Sequence, residues 1–210
     1  MTTRVKICGI NSPAALDAAA NAGADWIGYV FFPPSPRAVT PEQAAALDRH
    51  RRGPARVGLF VDPRDDDVAQ VLAALPLDVL QVHASAERAA ALRSRFGVPV
   101  WHIVGVGMAA DLPASAPGVD GLLLDAKPLP GATRPGGNAL VFDWSVLRGW
   151  AAPLPWLLAG GLTPGNVAEA ARVSGALAVD VSSGVECTRG VKDAGLIRAF
   201  VQAVKSIPSA

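Results

Sequence analysis

Eight short apolar runs recur at fairly even intervals along the chain, and they constrain its fold more than any other feature of the sequence. Most of these runs are nearly continuous in valine, isoleucine and leucine instead of alternating with polar residues. That pattern is typical of parallel strands that are covered on both faces. The eight predicted strands are VKICGI, DWIGYVFF, RVGLFV, DVLQVH, VPVWHIVGV, GVDGLLLDA, PWLLAGG and ALAVDVSSG.

Helix-like segments separate the predicted strands, and several have favourable boundary residues. Ser12-Pro13 and Thr40-Pro41 each place a capping hydroxyl before a proline at the first helical position. Gly23, Gly97 and Gly175 stand where helices are expected to end. The predicted helices are SPAALDAAANAG, TPEQAAALDRH, RDDDVAQVLAALP, SAERAAALRSRFG, VFDWSVLRGW, TPGNVAEAARVSG and KDAGLIRAFVQAVKS.

Strands and helices that alternate in this way predict an α/β protein, a single (β/α)8 TIM barrel of parallel strands that spans residues 1–210. The weakest connection is 105–117, which supports only a short helical turn. The alternative is an open doubly wound sheet. Its usual G-x-G-x-x-G fingerprint does not follow the first strand, and GVGMAA after the fifth strand is a poor substitute, so the barrel is favoured.

Composition and charge exclude several classes of protein. Half of the residues are hydrophobic and 18% are charged, which suits a globular chain rather than a disordered one. The net charge is +1 and no dense block of lysine and arginine occurs, so no nucleic-acid partner is expected. The most basic patch, RHRRG at 49–53, is interpreted as a solvated helix end.

The sequence gives no sign of export or of a membrane segment, so a cytoplasmic location is expected. Arg4 and Lys6 precede any apolar stretch of signal-peptide length. Residues 149–168 are uncharged, but prolines and glycines divide them into a loop, a short strand and a helix start. Cys8 and Cys187 cannot form a disulfide framework, and no C-x-x-C pair suggests zinc.

In a barrel of this type, function lies where the strands end and the following loops begin. This rule selects Cys8, Asp62, His83, Asp125, Gly160-Gly161 and Ser182-Ser183-Gly184. His83 and Asp62 are interpreted either as metal ligands or as polar barrel lining. With three histidines in the chain, a metal site has little support, and no metal or other cofactor is expected.

Cys8 and Asp125 are the candidate proton-transfer pair. Lys6 and Cys8 share one strand face, and a lysine beside a cysteine favours the thiolate; the alternative is a cysteine that acts as a small buried hydrophobe. Asp125 ends the apolar run GLLLDA, where burial raises the proton affinity of a carboxyl; the alternative is a structural aspartate that caps a loop or pairs with Lys127. A thiolate base and a carboxylic acid on opposite rims would make a proton-transfer pair, in which the acid donates a proton and the base accepts one.

Two glycine-containing turns predict a phosphate site. Gly160 and Gly161 follow the seventh strand, and Ser183 and Gly184 follow the eighth. Backbone N–H groups at such turns, beside helix N-termini, bind anions, and this is a frequent phosphate position in (β/α)8 barrels. The alternative is that the glycines serve only tight turns.

In FFPPSPR, three prolines stiffen the loop and can hold Arg37 as a fork for a carboxylate. The alternative is a solvated arginine.

Taken together, these motifs resemble the phosphoribosylanthranilate isomerase family of tryptophan biosynthesis. The resemblance spans nearly the whole chain in VKICGI, GYVFFPPSPRAVT, VGLFVD, LQVH, LLLDAKP, PGGNALVFDW, LLAGGLTPGNV, VDVSSGVE and GVKD. Each motif is weak alone, but in this order on eight strand ends they are very specific. The chain departs from the family pattern at Asn11, Ala84 and Ala139.

The resemblance implies a single barrel that needs no cofactor or metal and binds a small phosphorylated substrate. The implied reaction is the Amadori rearrangement of N-(5-phosphoribosyl)anthranilate to 1-(o-carboxyphenylamino)-1-deoxyribulose 5-phosphate. By resemblance, Asp125 is the general acid and Cys8 the general base. Arg37 faces the anthranilate carboxylate, and Asp180 lies near the base. The turns with Gly160, Gly161, Ser183 and Gly184 hold the phosphate.

Two other interpretations stay open from the sequence. One is a different phosphosugar isomerase or epimerase barrel, although a metal-dependent epimerase needs two histidines and two aspartates at strand ends, where only His83 qualifies comfortably. The other is a barrel that binds a phosphorylated metabolite without converting it, which has no use for both Cys8 and Asp125. The sequence leaves the choice between monomer and homodimer open.

Overall fold

Eight parallel strands close into a barrel in their chain order, as predicted. The computed structural model describes residues 2–48, 53–127 and 141–207, so residues 49–52 of the basic patch, and Ala139 with the other residues of 135–140, lie outside the described part. The strands are β1 (Arg4–Cys8), β2 (Trp26–Val30), β3 (Ala55–Val61), β4 (Val79–His83), β5 (Val100–Val106), β6 (Gly121–Ala126), β7 (Trp156–Leu158) and β8 (Ala178–Val181).

Six α-helices and three short 3-10 turns are formed by the described residues. The helices are α1 (Pro13–Ala22), α2 (Pro41–Asp48), α3 (Asp65–Ala74), α4 (Ala86–Phe96), α5 (Val167–Ser174) and α6 (Ala194–Lys205). The 3-10 turns are Ala109–Asp111, Trp144–Leu147 and Ser183–Val185. The first of these turns confirms the short helical turn that was predicted within 105–117.

The prediction of a helix over 141–150 is wrong, because only the turn Trp144–Leu147 forms there. Asp143 caps this turn by accepting a hydrogen bond from the amide of Ser145, and Gly149 leaves the helical region with φ of +74°. The ring N–H of Trp150 then donates to the carbonyl of Pro113 at 3.1 Å. Tertiary contact with the preceding loop thus replaces further helical turns.

Helix boundaries follow the capping residues that the sequence indicates. The Ser12 hydroxyl accepts a hydrogen bond from the amide of Ala15, and Thr40 and Gln43 exchange side-chain and backbone hydrogen bonds around the start of α2. The three predicted end glycines, at 23, 97 and 175, all adopt the left-handed conformation.

The barrel interior divides into an apolar lower part and a polar upper part. A small apolar cluster fills the lower part, and its buried members are Trp26, Val57, Val79, Leu123, Leu157, Ala159 and Ala178. Because side chains alternate along a strand, the outward-facing residues pack against the helices in the main core. The polar residues Lys6, Gln81 and Asp180 are buried in the interior beyond this cluster, on the side where the site is expected.

A two-stranded hairpin follows β8 and was not predicted. It consists of β9 (Glu186–Thr188) and β10 (Val191–Lys192), which pair antiparallel. The side-chain amide of Asn11 donates to the carbonyl of Gly190 at the hairpin tip at 2.9 Å. A Cβ atom on Gly190 would lie 2.6 Å from the carbonyl oxygen of Pro36, so glycine permits this close approach. The hairpin therefore joins the loops that follow β1, β2 and β8.

In the part of the chain that the structure describes, no helix combines the length and the apolar character required to span a membrane.

Candidate active site

A pocket opens at the C-terminal ends of the barrel strands, and both predicted catalytic residues and two of the predicted substrate-binding residues line it. Cys8, Arg37, Asp125 and Asp180 all line it. The other lining residues are Val30, Phe32, Ser35, Leu59, Val61, Gln81, His83, Ile103, Leu123 and Ser182. Residues from β1, β2, β3, β4, β5, β6 and β8 thus converge on one space, as the barrel topology requires.

Cys8 lies at the end of β1, directly above Lys6 on the same strand face. Cys8 is 3% exposed and Lys6 is fully buried. A Cβ atom on Gly28 of β2 would lie 3.0 Å from Cys8 Sγ and 3.2 Å from Lys6 Nζ. The absence of a side chain at Gly28 therefore makes room for the thiol and the ammonium side by side.

The charges around Cys8 partly cancel. Lys6 Nζ donates to Asp180 Oδ1 at 2.8 Å, and both side chains are nearly or fully inaccessible to solvent. Burial opposes the charge on Lys6, but the carboxylate of Asp180 and the sulfur of Cys8 together outweigh it and raise the pKa of Lys6. Burial also raises the pKa of the Cys8 thiol, and the favourable field of Lys6 does not overcome it. Lys6 favours the thiolate, as expected, but the free protein holds Cys8 as a thiol.

Asp125 lies at the end of β6 with its carboxyl group in the pocket. Burial raises the pKa of Asp125 to about 7, although Oδ1 accepts a hydrogen bond of 2.8 Å from the amide of Ala126. The alternative in which Lys127 pairs with Asp125 is not what the structure shows, since Lys127 Nζ binds Asp111 Oδ1 at 2.8 Å. A carboxyl that still carries a proton near neutral pH can act as an acid.

Arg37 reaches the pocket but is already engaged by a carboxylate of this chain. Its Nε and Nη2 donate to the two oxygens of Glu186 at 2.6 and 3.0 Å, an ion pair in which both side chains are almost fully buried. Lys192 Nζ also binds Glu186 at 2.7 Å. These contacts hold the pKa of Glu186 at about 2 despite its burial. The pair uses one edge of the guanidinium and leaves the edge with Nη1 for a second acceptor.

The two predicted glycine turns lie against each other beside the pocket but outside its lining. Gly160 and Gly161 have φ of +89° and +61°, and a Cβ atom on Gly160 would lie 3.1 Å from Asp125 Oδ1. A Cβ atom on Gly184 would overlap the carbonyl oxygen of Leu162. Ser183 and Gly184 begin a 3-10 turn, where the first N–H groups have no intrahelical acceptor. The turns are adjacent, as an anion cradle requires.

Three pocket or network residues were missed by sequence reasoning: Gln81, Glu186 and Lys192. Glu186 and Lys192 lie within the motifs VDVSSGVE and GVKD, but nothing in the sequence shows that a hairpin turns both toward Arg37. Of the two residues interpreted as ligands or lining, His83 lines the pocket and Asp62 does not. Across residues 2–48, 53–127 and 141–207, no group of three or more His, Cys, Asp or Glu side chains is placed to hold a metal ion.

The barrel and its pocket define a class of protein: a (β/α)8 barrel with a thiol and a carboxylic acid at the mouth of the strands. The family model described as N-(5'-phosphoribosyl)anthranilate (PRA) isomerase matches residues 5–203. The chain belongs to the PRA isomerase family, and it is an isomerase of tryptophan biosynthesis.

Close relatives support this membership along the whole chain. The N-(5'-phosphoribosyl)anthranilate isomerase of Acidiphilium cryptum is 57% identical over 200 residues, which cover 95% of this chain and 97% of the relative. The protein of the same name from Granulibacter bethesdensis is 55% identical over 208 residues, covering 98% of this chain and all of the relative.

Solved structures of the family have the same fold. Phosphoribosyl anthranilate isomerase from Thermotoga maritima has a TM-score of 0.84 at 33% identity and covers 97% of this chain and 98% of its own. A second structure, in complex with reduced 1-(o-carboxyphenylamino)-1-deoxyribulose 5-phosphate, has a TM-score of 0.82 at 32% identity with the same coverage.

Proposed function

We propose that the chain carries out the Amadori rearrangement of N-(5-phosphoribosyl)anthranilate with Asp125 as the general acid and Cys8 as the general base. The observation that carries this proposal is the raised pKa of Asp125, about 7, in a pocket that it shares with Cys8. An aspartate with an ordinary pKa would be ionised at neutral pH and could not donate a proton. Burial favours the protonated form of Asp125, which acts as the acid, and Lys6 favours the thiolate of Cys8, which acts as the base.

The first step is ring opening. Asp125 donates its proton to the furanose ring oxygen, the bond from that oxygen to C1 breaks, and the amine nitrogen supplies the electron pair that forms the protonated Schiff base. The charge of the departing alkoxide is thereby neutralised as it forms. Gly160 leaves space beside Asp125 for the substrate, because a side chain at residue 160 would contact the carboxyl group.

The second step is proton removal from C2. The Cys8 thiolate takes this proton, and the electron pair of the C–H bond moves toward the Schiff-base carbon to give an enolamine. Tautomerisation of the enolamine then yields the ketone. Lys6, fixed by Asp180, keeps a positive charge beside the sulfur and so lowers the free energy needed to form the thiolate.

The two ends of the substrate have separate binding groups in and beside the pocket. The free edge of Arg37 is placed to receive the anthranilate carboxylate, and the apolar side chains of Val30, Phe32 and Leu59 offer a wall for the aromatic ring. The phosphate binds at the adjoining turns with Gly160-Gly161 and Ser183-Gly184, where backbone N–H groups supply the partial positive charge.

The pH dependence tests the acid and base roles together. The productive form has the proton on Asp125 and none on Cys8. Below pH 7 both groups are protonated, so kcat/KM rises with pH as one proton is lost. Between pH 7 and the raised pKa of Cys8 the pair holds one proton in total. The fraction of the protein with that proton on Asp125 does not change with pH in this range, so kcat/KM is constant. Above that pKa Asp125 has no proton to donate, and kcat/KM falls.

We therefore expect a plateau that starts near pH 7 and ends above the ordinary cysteine range, measured as kcat/KM from pH 5 to 10. In Asp125→Asn, the residual rate should lose the limb near pH 7 and rise until Cys8 ionises. A wild-type profile that falls as pH rises through 7 would contradict the assignment of the two groups.

Arg37→Lys tests the carboxylate site. Lysine keeps the charge beside Glu186 but cannot serve two carboxylates with two planar edges, so KM should rise about 10-fold to 100-fold with a smaller change in kcat. The matched control is Arg64→Lys, whose exposed guanidinium pairs with Asp67 on α3. The aniline adduct is the substrate without its carboxylate. If Arg37→Lys raises KM for this adduct as much as it raises KM for the full substrate, the carboxylate does not bind at Arg37.

We also propose that residues 1–210 form one catalytic domain that works in the cytoplasm as a monomer or a homodimer. Cys8 and Cys187 are both free, which suits a reducing compartment. A similar chain is described as mutually generated monomers of the dimeric enzyme from Thermotoga maritima, which supports both oligomeric states for this fold.

A further inference from the structure

Gln81 is a buried amide in the pocket that the mechanism above does not use. It lies on β4 with 2% of its surface exposed, and its side chain lines the pocket with Cys8 and Asp125. Its Oε1 atom is buried and has no hydrogen-bond partner among the residues that the structure describes. Because Gln81 lines the pocket and its amide has an unpaired acceptor, the side chain is a candidate partner for a bound ligand.

The residues paired with Gln81 on the neighbouring strands are apolar. They are Leu59 on β3 and Trp101 on β5, and Ile103 and Leu123 also line the pocket. Buried polar groups nearly always have a hydrogen-bond partner, because an unpaired one loses its hydration without compensation. An apolar side chain of equal size would fit this wall at no loss of stability. The amide thus serves what enters the pocket rather than the fold.

We infer that Gln81 binds a sugar hydroxyl of the substrate, namely the one on C3, and so selects the ribose part of the molecule. This inference rests on the proposed function. A hydroxyl can donate to Oε1 and accept from the amide nitrogen, so it satisfies the side chain in either orientation. The substrate's aryl N–H is a poorer partner, since the ortho carboxylate on the same ring already accepts its hydrogen.

The course of the reaction distinguishes C3 from C2. The oxygen on C2 becomes the carbonyl oxygen of the product and loses its hydrogen, so it stops donating to an amide oxygen. The hydroxyl on C3 remains a donor from substrate to product. It also adjoins the carbon from which Cys8 removes the proton, so a contact with Gln81 orients that carbon as well as recognising the sugar.

The test is a comparison of two ligands. Reduced 1-(o-carboxyphenylamino)-1-deoxyribulose 5-phosphate and its 3-deoxy counterpart are titrated into wild type and into Gln81→Met, which removes the amide and keeps an unbranched side chain of similar volume. Wild type should bind the full ligand about 10-fold to 100-fold more tightly than the 3-deoxy ligand. Gln81→Met should bind both equally, at the affinity that wild type has for the 3-deoxy ligand.

Thermal unfolding separates a binding role from a structural one. Gln81→Met should unfold at the same temperature as wild type or higher, because it removes a buried acceptor that lacks a partner. Trp144→Phe is the matched control: Trp144 Nε1 is the other buried, unpartnered side-chain atom in the described part of the chain, and Trp144 does not line the pocket. This control should leave both affinities unchanged.

Three results would overturn the inference. Wild type could bind the two ligands equally well, which would show without any variant that the C3 hydroxyl makes no contact. Gln81→Met could keep the preference, which would show that the amide does not contact the C3 hydroxyl, and an earlier unfolding of this variant would then make Gln81 structural. If wild type binds neither ligand, the proposed function fails and this inference fails with it, whereas equal binding leaves the proposed function intact.

Discussion

Asp125→Asn is expected to lower kcat by about 10³-fold, within the range that general acid catalysis contributes. The amide matches the carboxylic acid in size and still accepts a hydrogen bond from Ala126, but it has no proton to give to the ring oxygen. Because the loss belongs to the transition state, the affinity for the reduced product analogue should change little. Steady-state kinetics and a ligand titration measure the two effects on the same preparation.

The stability of Asp125→Asn shows whether lost activity reflects lost structure. The folded state holds the pKa of Asp125 at about 7 instead of 3.8, so it binds the proton more tightly than the unfolded state does. This contribution to stability is present below pH 3.8 and is lost as pH rises to 7, by at most about 4 kcal/mol. Asparagine does not ionise, so the variant does not lose stability over this pH range and should be at least as stable as wild type at pH 8.

A matched control for Asp125→Asn is Asp111→Asn, which removes a partly buried carboxylate that pairs with Lys127. Asp111 does not line the pocket, so kcat should stay at the wild-type value. An Asp125→Asn variant that keeps more than a tenth of the wild-type kcat would mean that another group protonates the ring oxygen.

Cys8→Ala is expected to reduce kcat by about 10³-fold or more, because alanine has no group that can take the proton from C2. Cys8→Ser should be nearly as inactive: the hydroxyl is a much weaker acid than the thiol, so the burial that already raises the pKa of Cys8 leaves serine without a usable anionic form. Both variants should bind the reduced product analogue nearly as well as wild type does.

Cys187→Ser is the control for the loss of a thiol. Cys187 is exposed on β9, with its sulfur 3.6 Å from the carbonyl oxygen of Val191, and lies outside the pocket. Its replacement should leave kcat unchanged. Loss of ligand binding in Cys8→Ala, with the fold preserved, would place Cys8 in substrate binding and not in proton transfer.

The barrel could be predicted from the sequence because its signals are local. A parallel strand that is buried on both faces must be nearly all apolar, and a helix start needs a capping group such as Ser12. The failure at 141–150 has the opposite cause. The segment VFDWSVLRGW has helical periodicity, but contacts made by Trp150 with a distant loop override this weak preference.

The site could be predicted in part, for the same reason. Cys8 and Asp125 follow from the position of strand ends, which one rule of barrel architecture fixes, whereas Asp180 follows only from the resemblance to the family. The partner of Arg37 did not follow, because Glu186 lies 149 residues further along the chain and reaches Arg37 only through a hairpin. The raised pKa of Cys8 did not follow either, since it depends on how deeply the thiol is buried.

The most direct test of the account is an anthranilate fluorescence assay. N-(5-phosphoribosyl)anthranilate is generated in place, and its consumption is followed with wild type, Cys8→Ala and Asp125→Asn, each with and without a strong chelator. The account predicts that wild type consumes the substrate equally fast with chelator and that neither variant exceeds the uncatalysed rate by much. A wild-type protein that binds the reduced product analogue but leaves the substrate unconsumed would contradict it.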